Sequence, residues 1–421
     1  MMLEEILGAD NMREAYRRVV RNKGSHGVDG RRVDELRTYL VHAWPRLKAS
    51  LLDGSYEVQP VMRVEIPKPD GGVRMLGIPT VVDRMIQQAI AQKLSKLYES
   101  EFSESSYGFR TGKSAHQAVR KAREYIEEGY THVVDIDLEK FFDRVNHDKL
   151  MGRLAEKVKD KRVLKLIRNY LEAGAMSEGR WMATEEGTPQ GGNLSPLLSN
   201  ILLDELDREL HRRGHRFCRY ADDCNVYVKS HTAGKRVMES ICRFIETRLK
   251  LKVNNAKSAV ARPWERKFLG FTFYRNDKRT GIRIHPKSVK RLTDKIREEL
   301  NRNRSISMEE RLERLSKITV GWVRYFGLAQ AKEVIRRIDE WMRRRIRACF
   351  WKQWKRISTK FRNLVSLGIK PEKAWEWANS RKKYWRIAGS HILATTLTNR
   401  YLESIGFVSL NSVYNNLDYS C

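Results

Sequence analysis

Two adjacent carboxylates, Asp222 and Asp223, follow Tyr220-Ala221 between two short apolar runs. Arg216 to Val228 reads as two strands folded around Ala221-Asp222-Asp223. Neighbouring carboxylates at a turn repel each other and add little as structure. Beside a third carboxylate they make a site of hard oxygen ligands for divalent cations. Two such ions about 3.5–4 Å apart can activate a hydroxyl and stabilise a departing pyrophosphate. An isolated Asp pair is more often a solvated turn, so the reading depends on a third acid. It comes from Val134-Asp135-Ile136-Asp137-Leu138-Glu139-Lys140-Phe141-Phe142-Asp143. This is a β-branched run flowing into a stretch, Leu138 to Val145, expected to be helical. Asp135 and Asp137 point to the same face of a strand, so spacing leaves the choice between them open.

Other segments must position these acids. Between them lies Thr188-Pro189-Gln190-Gly191-Gly192-Asn193-Leu194-Ser195-Pro196. Its glycines permit close backbone approach, and Gln190 can hydrogen-bond there. Upstream, residues 61–66 alternate as a strand. Pro67-Lys68-Pro69-Asp70-Gly71-Gly72 reads as a turn, and Val73 to Ile78 as a returning strand. Helices are expected over about 83–100 and 114–128, and around Gly24–Gly30 within residues 1–60. Helices and strands mix without a βαβ rhythm, so the expected class is α+β. From about residue 276 the chain reads as almost wholly helical, with a capping-box pattern at Ser307–Glu310.

With 421 residues the chain is too long for one ordinary core, and two to four domains are expected. A hydrophobic content of 41% excludes wholesale disorder. Lys and Arg number 82 against 52 Asp and Glu, a net charge of +30 that points to a polyanion. Residues 276–421 alone hold 33 cationic and 14 acidic side chains, most of the excess. The five cysteines form no C-x-x-C pair and no zinc spacing. Their odd number, without a signal peptide, fits a reducing cytoplasm. No apolar stretch approaches the roughly 18 residues of a membrane span.

The carboxylate segments, taken together, resemble the metal-binding motifs of reverse transcriptases. In that family the metal-binding Asp stands five residues before an aromatic that blocks a ribose 2′-hydroxyl. Asp137 and Phe142 fit that spacing, which leaves Asp135 a structural role. The resemblance implies an α+β right-hand polymerase of fingers and palm, with an all-helical thumb and a small basic domain. It implies catalysis by Asp137, Asp222 and Asp223 with two Mg²⁺ ions and dNTP substrates, Leu138 being a further metal contact. Lys68 and Arg74 would clamp the triphosphate, and Gln190, Gly191 and Gly192 would meet the nascent base pair. Lys257, in Leu251-Lys252-Val253-Asn254-Asn255-Ala256-Lys257-Ser258, would protonate pyrophosphate. Arg63 belongs to the fingers hairpin. Arg110, in Tyr107-Gly108-Phe109-Arg110, would contact template or stabilise the fold. Phe268 and Gly270, in Phe268-Leu269-Gly270-Phe271, resemble the primer grip.

Gly27-Val28-Asp29-Gly30 and the spelling Asp-Leu-Glu-Lys-Phe-Phe-Asp resemble the group II intron-encoded branch, whose members also act as maturases. That implies four parts. These are a fingers extension (1–60), fingers and palm (61–275), a thumb (276–365) and a DNA-binding domain (366–421). Implied partners are the group II intron RNA, an RNA template with its DNA primer, and target DNA, with no membrane and a monomer assumed. No Cys-containing endonuclease pattern follows Arg381, so the endonuclease-lacking type of bacterial group IIC introns is expected. Arg343, Arg344, Arg345 and Arg347, four close cations that repel one another without carboxylate partners, are expected to face phosphate. Most of the seven tryptophans after residue 320 are expected to be helix-packing core. An RNA-binding splicing factor with an idle polymerase site is the rival of another class. A retron, diversity-generating or phage-defence enzyme is the rival within polymerases. The charge makes a prediction of its own: RNA affinity, measured by filter binding, falls by orders of magnitude from low to moderate salt. A flat response would count against the basic tail as an RNA surface.

Overall fold

A computed structural model describes residues 2–68, 71–177, 179–276 and 279–417. Pro69 and Asp70 of the expected turn, and Cys421, lie outside the described residues. The chain forms two units, Met1–Arg266 and Lys267–Cys421.

The first unit carries β1 (Val61–Pro67), β2 (Val73–Ile78), β3 (His132–Ile136), β4 (Ala175–Ser177), β5 (Arg180–Met182), β6 (Arg216–Tyr220), β7 (Asp223–Val228) and β8 (Ala259–Ala261). They form two four-stranded sheets. One has the order β2-β1-β4-β5, with β1 and β4 parallel. The other, β6-β7-β3-β8, is antiparallel throughout. Its register gathers the acids. Ile136 faces Cys224 and Tyr220 faces Asp223, so the end of β3 lies beside the tip of the β6–β7 hairpin.

Helices Val81–Tyr98 and Ser195–Arg212 bury most of their residues, as helices packed on several sides do. Asp83 is wholly buried in the first. Its carboxylate accepts hydrogen bonds from Thr80 Oγ1 at 2.7 Å, Tyr56 Oη at 2.8 Å and Tyr170 Oη at 3.2 Å. Burial pushes its pKa up, and the three hydroxyls offset part of that cost.

The segment Leu138–Val145 departs from the helix expected of it. It bends, makes one 3₁₀ turn over Phe141–Asp143, and becomes α-helical only at His147. Backbone groups that a helix would use are taken elsewhere. Asn254 N donates to Asp137 O and Glu139 N to Lys252 O, both at 2.8 Å. Thr188 N donates to Phe142 O at 2.6 Å and Gly187 N to Val145 O at 2.8 Å.

The second unit opens on a hairpin, β9 (Phe271–Asn276) with β10 (Arg279–Ile284), inside a region that reads as helical. Helices Pro286–Glu299, Met308–Phe326 and Lys332–Gln353 follow, then shorter ones. Ser307 caps the second of these, accepting from Glu310 N at 3.1 Å. The hairpin lies with these helices in the second unit. Among the described residues no helix is long and apolar enough to cross a membrane.

One buried charge pair ties the first unit together. Arg219 and Asp207 are both 0% exposed. Arg219 Nε and Nη2 donate to the Asp207 oxygens at 2.7 and 2.5 Å. Its remaining donors reach Asn200 Oδ1 at 3.0 Å, Ala221 O at 2.9 Å and Ser106 Oγ at 2.8 Å. Removing one member of such a pair strands the other charge. Arg219→Met should therefore cost about 3–5 kcal/mol in urea unfolding. Arg219→Met/Asp207→Leu should recover part of that loss.

Candidate active site

Asp222 and Asp223 sit where the sequence places them. Ala221 and Asp222 form the two-residue loop between β6 and β7, and Asp223 opens β7. Ala221 has φ +57°, and Asp222 is not in the left-handed region. This is the pattern of a II′ hairpin turn, whose first position normally takes glycine. Holding alanine there is unfavourable by roughly 1–2 kcal/mol. Two contacts hold it nonetheless. Arg219 Nη1 bonds the Ala221 carbonyl. Gly108 packs so closely that a Cβ on it would lie 2.4 Å from Ala221 N.

The two acids of the β3 segment stand in different surroundings. Asp135 pairs with Arg266, Nη2 to Oδ2 at 2.6 Å and Nε to Oδ2 at 2.8 Å, and is occupied as structure. Asp137 lies past the end of β3, where the register carries it towards Asp223. Its backbone N donates to Ser258 Oγ at 3.0 Å. Burial chiefly, and the nearby Asp137 carboxylate next, push the Asp222 pKa up. A backbone hydrogen bond, Arg74 and Arg219 oppose the shift.

Among the described residues no three His, Cys, Asp or Glu side chains are gathered closely enough to cage an ion as they stand. The donor chemistry still fits a hard divalent cation. The groups are carboxylates, and two of them are half-buried and mutually repelling, a strain that a cation between them would relieve.

Phe142 is half-buried, its ring edge-on to Phe141 with centroids 5.2 Å apart. The Thr188–Pro196 loop is stapled on two sides. One staple is the Thr188–Phe142 bond already described. The other is Gly77 N of β2, which donates to Gln190 O at 2.8 Å. Gly191 has φ +120°, and a Cβ there would lie 2.9 Å from Gly77 O, so glycine is required twice over. His147, wholly enclosed, bonds Gly187 O through Nε2 at 2.7 Å and steadies the loop's entrance.

On the β1–β2 hairpin Arg74 pairs with Ile66 in register and is exposed. Lys68, also exposed, continues the Ile66 face by alternation. Arg63 pairs with Gly77 on the other face and is half-buried. Lys257 is exposed in the turn that Ser258 ties to Asp137.

Three of the expected contact groups already have partners inside the protein. Arg110 is 9% exposed and spends its guanidinium on Glu99 and the Ser103 and Ser106 carbonyls, so it stabilises the fold. Phe268 is buried. The turn after it, Leu269 (φ +50°) and Gly270 (φ +87°), is clamped by Tyr325 Oη on Leu269 O at 2.9 Å and His285 N on Gly270 O at 3.0 Å. The turn thus offers backbone, while the Phe268 ring is core.

The Arg343–Arg347 cluster is also partnered. Arg343 pairs with the buried Asp339 one helical turn away. Arg344 bonds Trp385 O at 2.9 Å and stacks over that indole. Arg345 reaches Leu300 O at 3.3 Å, and Arg347 reaches Leu397 O at 2.9 Å. Leu300 and Leu397 are the C-caps of their helices, where unpaired carbonyls attract the Arg345 and Arg347 cations.

Residues that sequence reasoning missed are Arg219, Asp207, Asn200, Ser258, Arg266 and His147. A signal existed for Arg219, a charge between apolar Phe217-Cys218 and Tyr220-Ala221 next to the acid pair. The others carry none without a partner in view.

Comparison with known proteins bears on the family. Residues 66–273 match the model "Reverse transcriptase (RNA-dependent DNA polymerase)". Residues 289–368 match "Group II intron, maturase-specific domain". Protein YkfC of Escherichia coli is 34% identical over 299 residues, 62% of this chain and 78% of that protein. The chain belongs to the reverse transcriptases of group II introns. The group II intron-encoded protein LtrA of Lactococcus lactis is 35% identical over 226 residues, covering 53% of this chain and 37% of LtrA. The chain thus aligns with well under half the length of that relative. A solved Cas6-RT-Cas1–Cas2 complex aligns over 58% of this chain and 42% of its own, at 24% identity and TM-score 0.38.

The raised pKa of Asp222 makes a prediction about this reverse transcriptase. The folded state prefers the protonated acid, so its charge costs stability as pH rises above the ordinary carboxylate range. Asp222→Asn should raise the melting temperature at neutral pH in metal-free buffer. The gain should vanish below the ordinary carboxylate pKa. Calorimetry across pH checks both.

Proposed function

We propose that the chain copies RNA into DNA with two Mg²⁺ ions bound by Asp137, Asp222, Asp223 and the Leu138 carbonyl. We propose further that it binds its group II intron RNA to assist splicing and retrohoming into target DNA. One observation carries the first part. The Asp222 carboxyl is destabilised by burial and by Asp137 at a hairpin tip that Arg219 holds in place. The maturase-specific match carries the second.

The bound ions would activate the primer 3′-hydroxyl and stabilise the departing pyrophosphate. The chain's own groups do the rest. Arg74 and Lys68 project from the exposed end of the hairpin, where they can bind the triphosphate. Phe142, fixed by the Thr188 bond and by Phe141, fills the space of a ribose 2′-hydroxyl. Gln190, Gly191 and Gly192 bring backbone against the nascent base pair. Lys257 donates a proton to pyrophosphate, and Arg63 contacts the template. The Leu269–Gly270 turn steadies the primer through its backbone. In this reading β1 and β2 belong to the fingers and the β6-β7-β3-β8 sheet to the palm. Thumb and DNA-binding domain occupy 276–365 and 366–421, and the protein acts as a monomer. The free thiols Cys218, Cys224, Cys242 and Cys349 suit a reducing cytoplasm.

Primer extension on an RNA template with Mg²⁺ and dNTPs tests this. Asp222→Ala/Asp223→Ala should abolish cDNA synthesis while splicing of the intron in vitro persists. Primer extension surviving in that variant would remove the metal assignment. Splicing without any wild-type cDNA would leave an RNA-binding splicing factor.

A further inference from the structure

The Tyr107–Arg110 segment distributes its side chains against expectation. The cation turns inward and the apolar ring turns outward. Phe109 is 52% exposed. Its φ is +59°, a region that bulky residues without a local hydrogen-bonding side chain rarely occupy. The segment has little freedom to relax. Tyr107 N donates to Arg219 O at 2.8 Å, and Asn200 Nδ2 donates to Gly108 O at 2.8 Å. Gly108 abuts Ala221, and Arg110 is bonded on three sides. The fold itself holds the ring in the open.

The place matters as much as the exposure. The Phe109 ring lies 6.4 Å from the Tyr220 ring, tilted by 44°. Tyr220 immediately precedes the Ala221-Asp222 turn. Trp181 is similarly exposed at 58%, but it sits in ordinary strand geometry and its indole N–H bonds Ala173 O at 3.4 Å. Phe109 therefore combines exposure, an unfavourable backbone and contact with the catalytic hairpin. Backbone strain enforced beside a reacting centre commonly serves that centre. A phenyl ring offers an apolar π face and no hydrogen bond, so its partner must be planar and apolar on one side. Nucleobases meet that description, and sequence-tolerant stacking on aromatics is how single strands are held.

We propose that Phe109 stacks on a nucleobase of the bound template–primer and so sets its position relative to Asp222 and Asp223. This rests on the polymerase reading above. It moves the contact expected of Arg110 to its neighbour.

Photocrosslinking gives the direct test. 5-Iodouracil is placed singly along the RNA template, and in a second arm along the DNA primer, near the primer 3′ end. After irradiation of the full-length protein, crosslinked peptides are mapped by mass spectrometry. A crosslink at Phe109 is expected, and the arm that yields it names the strand. In parallel, Phe109→Ala should raise the primer–template Kd about tenfold or more. The dNTP KM should stay within twofold, and Phe109→Trp should retain affinity. Phe109→Gly removes the ring and relieves the backbone together. It should melt no lower than wild type yet bind as weakly as Phe109→Ala, which separates lost stacking from lost folding. Absence of any Phe109 crosslink while wild type extends primers overturns the proposal, as does wild-type affinity in Phe109→Ala. Failure of wild type to make cDNA overturns the polymerase reading and this one with it.

Discussion

The buried pair of Arg219 and Asp207 is the constraint on which the reaction centre hangs. A guanidinium with no exposure must satisfy all its donors within the protein. Arg219 does so by reaching five acceptors: two on Asp207, and one each on Asn200, Ser106 and the Ala221 carbonyl. Those acceptors come from the Ser195–Arg212 helix, the segment before Tyr107 and the hairpin tip. One side chain thereby fixes three pieces of chain that are distant in sequence. Without it the Ala221 turn, unfavourable in itself, would keep only the packing of Gly108.

Around that anchor the site is built from compromises between stability and placement. Asp222 is held where burial and a neighbouring acid disfavour its charge. Gly191 and Gly187 are tolerated in left-handed backbone because no side chain fits between the loop and its neighbours. Each of these costs folding energy locally. The heavily buried helices Val81–Tyr98 and Ser195–Arg212 supply the surplus that offsets it.

Much of the site could be read from residue types in order, and the limits of that reading have physical causes. The β6–β7 hairpin was legible because alternation and a turn are local signals. The five-residue spacing of Asp137 and Phe142 is local too, and their roles rest on the proposed reading. The choice between Asp135 and Asp137 was not legible from the strand pattern alone. It depends on Arg266, a partner 131 residues away whose role exists only in three dimensions. The helix expected over Leu138–Val145 fails for the same reason, since distant backbone groups at 187–188 and 252–254 claim its donors and acceptors. The partners of Arg110 and Arg343 were hidden in a common way. A cation in sequence looks exposed until its acceptor is seen, and Glu99 and Asp339 are those acceptors. The β9–β10 hairpin was hidden by the helical composition that surrounds it.

The arginines fastened to helix ends in the second unit have a bearing on discrimination. A cation on a loose side chain follows any anion and favours no particular arrangement of charge. Arg344, Arg345 and Arg347 are each tethered to a named carbonyl, which fixes where their charge sits. A lattice of immobile positive charge complements one spatial pattern of phosphates better than others. Composition alone describes a protein drawn to every nucleic acid. On the proposed maturase reading, such tethering suits a folded RNA of a particular shape better than an equal length of featureless strand.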